Sequence, residues 1–167
     1  MALQIDRTGF GQVEPNHLSA QRTGQIYAQL PAKSDINILE NGQFVKYNYS
    51  ANEVDTTGKG EWMLVFNEVK LYDGLRETYK DFALKKTDYI DGVMTPRVFK
   101  TNVGDIFTTN MVKTGVEYHV GDVLTPVKNS TTNTLQLEVG TGNIEFVVAK
   151  VYTMPDGQDG LKLQRIK

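Results

Sequence analysis

From residue 34 onward the apolar side chains fall into short runs separated by clusters of Asn, Asp and Gly. Strands are predicted over residues 43–49, 61–72, 95–101, 116–127, 134–139, 144–152 and 161–166, each rich in Val, Ile, Thr, Phe or Tyr. Between them, residues 40–42, 55–60, 73–74, 91–92, 129–133 and 156–160 supply the residue types that accept positive φ or brace a turn with a side-chain hydrogen bond. Trp62-Met63-Leu64-Val65-Phe66 and Phe146-Val147-Val148-Ala149 are apolar at consecutive positions, so both faces of those strands are expected to be covered and the strands to lie centrally. Residues 161–166 alternate and then slip phase, as a strand with one wet face does near a terminus. Helical spacing is confined to the short stretch 78–86, with Tyr79, Phe82 and Ala83 on one side. Many short strands with regular turn signals predict an all-β body, a single barrel or sandwich, over residues 34–167.

Residues 1–33 follow a different pattern. Their apolar residues keep neither a period of two nor one of 3.6, and Gly9, Gly11, Pro15 and Gly24 interrupt them. Glutamines at 4, 12, 21, 25 and 29 make the segment polar without charging it. A helix ending before Pro31 would lose about 1 kcal/mol at Gly24 relative to Ala. The segment is therefore expected to be an extended, irregular arm lying on a partner, the alternative being that it forms the first strands of the domain. Shallow pockets on another protein impose no period, and the side chains expected to fill them are Ile5, Phe10, Val13, Leu18, Ile26, Tyr27 and Leu30.

Within the body, Val103-Gly104-Asp105-Ile106 is echoed by Val120-Gly121-Asp122-Val123. In each, Gly is expected to take the unusual φ and Asp to bond nearby amides, making a turn that launches a strand.

Composition narrows the chemistry. With Lys and Arg totalling 18 against 20 Asp and Glu, the formal charge is −2, which argues against nucleic acid as a partner. The absence of cysteine and the presence of only two histidines exclude disulfides, thiol nucleophiles, zinc fingers and multi-histidine metal centres. No run approaches the roughly 18 apolar residues of a membrane span, and the first residues lack the basic and apolar regions of a secretory signal, so a cytosol-like compartment is expected. The sequons at Asn48 and Asn129 then read as turn chemistry.

His17 and His119 have no motif linking them to a nucleophile. Gly58-Lys59-Gly60 lacks the Ser or Thr that a phosphate loop requires after its lysine and reads as a hairpin tip. The pairs Asp88 with Asp91 and Asp156 with Asp159 lie in Gly-bearing turns, where Asp serves the backbone; the second pair lacks the terminal Glu of a calcium loop. No catalytic residue, metal or cofactor is expected, and the chain is not read as an enzyme. Tyr47 and Tyr49 share one strand face, and Trp62 lies in an apolar run that reads as core; either could be a stacking platform if the chain were instead a glycan-binding or adhesion module on a virion or cell surface.

Taken in order, the Gln- and Gly-bearing arm, Gly42-Gln43-Phe44-Val45-Lys46-Tyr47, Pro96-Arg97-Val98, the two Gly-Asp turns and the closing residues 151–163 resemble the small β-rich decoration, or cement, proteins of tailed-bacteriophage heads. The resemblance implies a structural protein that binds the outer surface of the capsid and bridges subunits of the major capsid protein. It further implies assembly in the host cytoplasm and a homo-oligomer on the shell, a trimer rather than a monomer. Residues 70–91 have no counterpart in that pattern.

Overall fold

A computed structural model of the chain describes residues 3–14, 29–67, 83–128, 135–154 and 157–167. The chain is mainly β, and among the described residues the only helical element is a 3-10 turn over Lys86–Asp88. The strands, in chain order, are β1 (Leu3–Gln4), β2 (Val13–Glu14), β3 (Ile38–Glu40), β4 (Phe44–Asn48), β5 (Glu53–Asp55), β6 (Trp62–Val65) and β7 (Ala83–Lys85). They continue as β8 (Val98–Lys100), β9 (Ile106–Thr109), β10 (Glu117–Tyr118), β11 (Val123–Lys128), β12 (Leu135–Val139), β13 (Phe146–Thr153) and β14 (Asp159–Arg165). A six-stranded sheet runs β12-β11-β13-β14-β9-β2 and a four-stranded sheet β5-β4-β6-β8, while β3 with β7 and β1 with β10 form two-stranded sheets.

The single barrel or sandwich expected from the sequence is not formed; the strands make several separate sheets. The reason lies in β4 and β6. Phe44 is paired across from Leu64, and both are fully buried in a core with Phe107, Leu124, Phe146 and Leu161. Val45 is paired across from Met63, and with Val65 these point the opposite way, into a second core with Leu39, Leu84, Met94 and Val98. Each buried side chain of this size contributes about 1.5–3 kcal/mol, so a layer on one face only would leave the other unsupported. The four-stranded sheet is thus a middle layer, with the six-stranded sheet over one face and the β3–β7 pair over the other. The sequence reading of residues 62–66 as covered on both faces holds for Met63, Leu64 and Val65, all fully buried. It holds less well for 146–149, where Phe146 and Val148 are buried but Ala149 is exposed just before a register shift in the ladder. The long run 116–127 is divided by its Gly-Asp turn into β10 and β11.

The echoed Gly-Asp turns have one geometry. Gly104 has φ +95° and Gly121 φ +96°. The Asp105 and Asp122 carboxylates accept hydrogen bonds from the amides of Asn102 (2.7 Å) and His119 (2.8 Å). Gly104 N–H donates to the Arg165 carbonyl while Arg165 N–H donates to that of Asp105, and Gly121, Asp122 and Val148 repeat this arrangement. A third copy was concealed in the sequence. Around Gly42, φ +90°, the Gln43 side chain replaces the Asp and accepts from Glu40 N–H at 3.1 Å, with Val65 taking the place of the facing strand residue. This is a turn with positive φ at its third residue run into a bulge, and it sets the register of β4, β9 and β11 as each begins.

The three turns differ in their surroundings. A Cβ on Gly42 would sit on Thr109 Oγ1 and 2.8 Å from Met111 Cβ, whereas around Gly104 and Gly121 it would meet nothing within 4 Å. Gly104→Ala and Gly121→Ala are therefore expected to cost about 1–2 kcal/mol each, the left-handed backbone penalty alone. Gly42→Ala should cost clearly more in urea denaturation; equal losses at the three positions would contradict the close packing of Gly42 against β9.

Candidate functional site

Among the described residues, the sequence-predicted contact residues are largely turned inward. Ile5 is fully buried in the first core, Val13 is buried in the same core, and Leu30 is buried in the second. Phe10 is half-buried beneath the Lys85 ammonium, which lies 4.8 Å from its ring centre. Leu18, Ile26 and Tyr27 lie outside the described residues. Ile5, Val13 and Leu30, expected to fill pockets on a partner, thus pack against the chain's own cores in this structure.

What holds residues 3–14 on the body is a polar seam that no local sequence signal announces. Glu40, a nearly buried carboxylate on β3, accepts hydrogen bonds from Arg7 Nη1 at 2.7 Å and from Gly11 N–H at 2.5 Å. Asn110 Oδ1 accepts from Gln12 N–H at 2.7 Å, and Thr109 Oγ1 donates to the Gln12 carbonyl at 2.6 Å. Gly11 has no room for a side chain, since a Cβ there would meet Met111 Cε and the Asn41 carbonyl oxygen. β2 then adds to β9 as the edge of the six-stranded sheet, and β1 pairs with β10.

A depression is built around β4. β5 and β6 flank β4 on its two sides and both run antiparallel to it, so residues 56–61 cross over β4 and do not form the hairpin tip expected from Gly58-Lys59-Gly60. The crossing is close. Cβ atoms on Gly58 and Gly60 would approach the Tyr47 carbonyl oxygen to 2.8 and 2.9 Å. Asp55 starts the crossing: Oδ1 accepts from Thr57 N–H at 2.9 Å and from Gly58 N–H, and Oδ2 from Asn48 Nδ2 at 3.0 Å. Burial by itself would raise the Asp55 pKa; the Asn48 amide, the two backbone N–H groups and the Lys33 charge outweigh it and hold the carboxyl below its ordinary range.

The resulting depression, of about 540 Å³, has Tyr47, Tyr49, Asp55, Thr57 and Lys59 in its lining. The Tyr47 and Tyr49 rings stack at 5.4 Å with an interplanar angle of 15°; Tyr47 is buried beneath and Tyr49 is 66% exposed. A second depression of about 310 Å³ shares Lys59 and Gly60 in its lining and has Lys46, Trp62, Asn143 and Arg165 besides. Trp62 is half-buried against the first core with the Lys46 ammonium 4.3 Å over its ring, whereas Tyr47 packs in the second core, so the tyrosine stack projects from the opposite face of β4. Glu61, in the lining of the second depression, is bonded to Arg165 Nη2 at 2.8 Å and Lys100 Nζ at 3.1 Å.

Elsewhere, the described residues hold no group of three His, Cys, Asp or Glu side chains that could grip a metal, and no helix long and apolar enough to cross a membrane. His119 is exposed, with the Asp122 carboxylate 3.8 Å from its Nδ1. No family model matches the chain, and no curated protein or solved structure is significantly similar to it.

The Asp55 bonds carry a pH signature. A depressed carboxylate contributes stability that is fully present above its unfolded pKa, near 3.9, and is lost as pH falls through the lower folded value. Asp55→Asn is expected to lose about 1–3 kcal/mol near neutral pH, since the amide nitrogen in place of Oδ2 cannot accept from Asn48 Nδ2 and the neutral side chain weakens the bonds from the Thr57 and Gly58 amides. Its stability should also fall less steeply than wild type below pH 4, measured by urea denaturation across pH; parallel acid limbs would contradict this role.

Proposed function

We propose that this chain is a structural virion protein that binds the outer surface of a phage capsid and stabilises the shell by bridging subunits of the major capsid protein. The observation that carries the reading is a group of apolar side chains held out from a tied-down surface. Tyr89, Ile90 and Val93 are all exposed, Ile90 completely, within one short loop after the 3-10 turn. That loop is anchored by Lys86 N–H to the Asn37 carbonyl, by Gly92 N–H to the Tyr89 carbonyl and by the Asp91 carboxylate accepting from Val93 N–H. Single exposed apolar residues are ordinary, but three together on a braced loop suit docking to another protein. Because the loop is ordered beforehand, little conformational entropy is lost on docking.

Val103 and Val120, 66% and 60% exposed, stand at the tips of the two Gly-Asp turns and offer further apolar knobs on rigid supports. Residues 15–28, with Leu18, Ile26 and Tyr27, join segments fixed at both ends, by β2 and by buried Leu30. The role is mechanical and not catalytic. A trimer would multiply weak individual contacts through avidity, and the charge of −2 favours the outer face of the shell over packaged DNA.

The test is co-purification of the chain with virus particles through a density gradient, for wild type and Ile90→Asp. Wild type should travel with particles at a fixed ratio to the major capsid protein. Ile90→Asp should lower occupancy about tenfold or more, as loss of a buried interface anchor does, with its melting temperature unchanged because Ile90 packs against nothing in the free chain. Recovery of wild type only in the soluble fraction, or undiminished binding of Ile90→Asp, would overturn the proposal.

A further inference from the structure

The second depression, of about 310 Å³, carries positive charge that its own residues leave unmatched. The register of β4 puts Lys46 between Asp55 on β5 and Trp62 on β6, all on the first-core face. Asp55 does not hold the lysine. That carboxylate accepts from Asn48 Nδ2 and from the Thr57 and Gly58 amides, while the Lys46 ammonium leans the other way, 4.3 Å over the Trp62 ring. The crossing of residues 56–61 brings Lys59 into the same lining. Lys59 is exposed, and neither lysine makes an ion pair among the described residues.

The other charges of this lining are committed. Glu61 is bonded to Arg165 Nη2 at 2.8 Å and to Lys100 Nζ at 3.1 Å. Arg165 is nearly buried, with Nη1 donating to the Thr101 carbonyl and hydroxyl and Nε to the Lys167 carbonyl. Beyond the Glu61–Arg165 pair the lining therefore keeps two positive charges, on a chain whose formal charge is −2. Two ammonium groups facing one concavity repel each other, and a dianion between them turns that repulsion into attraction. Lysines meet an anion as point charges, which suits the tetrahedral oxygens of phosphate; a planar carboxylate is matched best by the fork of an arginine, and Arg165 is already occupied. A phosphomonoester carries about −1.5 to −2 at pH 7, the charge the two lysines leave over, whereas a polynucleotide backbone asks for a longer basic track.

We propose that the depression lined by Lys46, Lys59 and Trp62 binds a phosphate dianion, free or as the end of a small phosphomonoester, with the two ammonium groups donating to its oxygens. The Asn143 side chain offers a neutral polar contact in the same lining, and buried Ile144 is an apolar part of the wall. A volume of about 310 Å³ has room for a phosphate and a small ester group and not for a folded partner. Trp62, the chain's only tryptophan, is half-buried in the wall beneath Lys46, so occupation of the site changes the surroundings of a single fluorophore.

The experiment follows Trp62 fluorescence of the purified full chain during titration with inorganic phosphate, glucose 6-phosphate and dimethyl phosphate, the last a monoanionic diester. The buffer holds about 0.15 M sodium chloride, which screens loose surface pairing, and calorimetry repeats each titration for the variants. An oligothymidylate is titrated alongside. Inorganic phosphate or glucose 6-phosphate should saturate the signal and bind about tenfold or more tighter than dimethyl phosphate; whichever of the two binds tighter assigns the site to the free ion or to an ester, and either upholds the proposal. Lys46→Gln and Lys59→Gln should each weaken binding about tenfold, the scale of one lost charge-assisted contact. The Lys59 side chain is exposed, so an unchanged melting temperature will show that this variant is folded whatever Lys46→Gln does to the packing of Trp62. Absence of saturable binding, equal affinity for dimethyl phosphate, full retention by Lys59→Gln, or tighter binding of oligothymidylate would each overturn the proposal. The titration contains no particles, so its result is independent of whether the chain docks on a shell.

Discussion

Strands β4 and β6 bring apolar side chains to both faces of one sheet, Phe44 and Leu64 on one side and Val45, Met63 and Val65 on the other. Neither face can be left in water without losing several kcal/mol of burial, and the remaining elements are arranged to meet that demand. The six-stranded sheet closes over the first face with Phe107 and Phe146, whose rings meet edge-on at 5.4 Å. The β3–β7 pair, with Leu39 and Leu84, closes over the second. Glu40 sits at the end of β3 and fastens residues 3–14, so the first strands are tied to the same middle layer. Tyr118 extends this from the first core: its hydroxyl donates to the Lys113 carbonyl at 2.8 Å, and burial pushes its pKa well above the ordinary tyrosine value.

Much of this was legible wherever the information is local. β4, β6, β8, β11, β12 and β14 coincide with apolar runs between turn clusters, and the two Val-Gly-Asp turns have the positive φ and the carboxylate-to-amide bond that their residues imply. The third such turn was hidden because Gln43 does the work of Asp and Asn41 takes the place of Val. The layering was not legible, since it depends on pairing between distant segments, such as β9 with both β14 and β2. The irregular spacing of residues 3–14 has a physical cause. β1 and β2 are two residues long, too short for a period of two to show, and their anchor, Glu40, looks from its neighbours like part of a turn.

The groove was half legible. Tyr47 and Tyr49 were placed on one face by their spacing, and they do stack. The crossing of residues 56–61 over β4 was missed, although Gly58 and Gly60 were its signal: two glycines flanking a lysine allow backbone to lie on backbone. A layered body with fixed turns, an exposed apolar loop at residues 89–93 and a separate polar-aromatic groove offers two surfaces of different character. Each is shaped by bonds internal to the chain.

The doubly buried middle sheet makes one cooperative unit of both cores and the first strands. Native-state hydrogen exchange tests this most directly, because it reports the opening free energy of each amide. Amides of β4 and β6 should be the slowest to exchange, those of β9 and β14 should open with the same free energy and denaturant dependence, and Gly11 and Gln12 should be protected within the folded chain. Independent opening of the two cores, or exchange of Gly11 and Gln12 at unprotected rates, would contradict it.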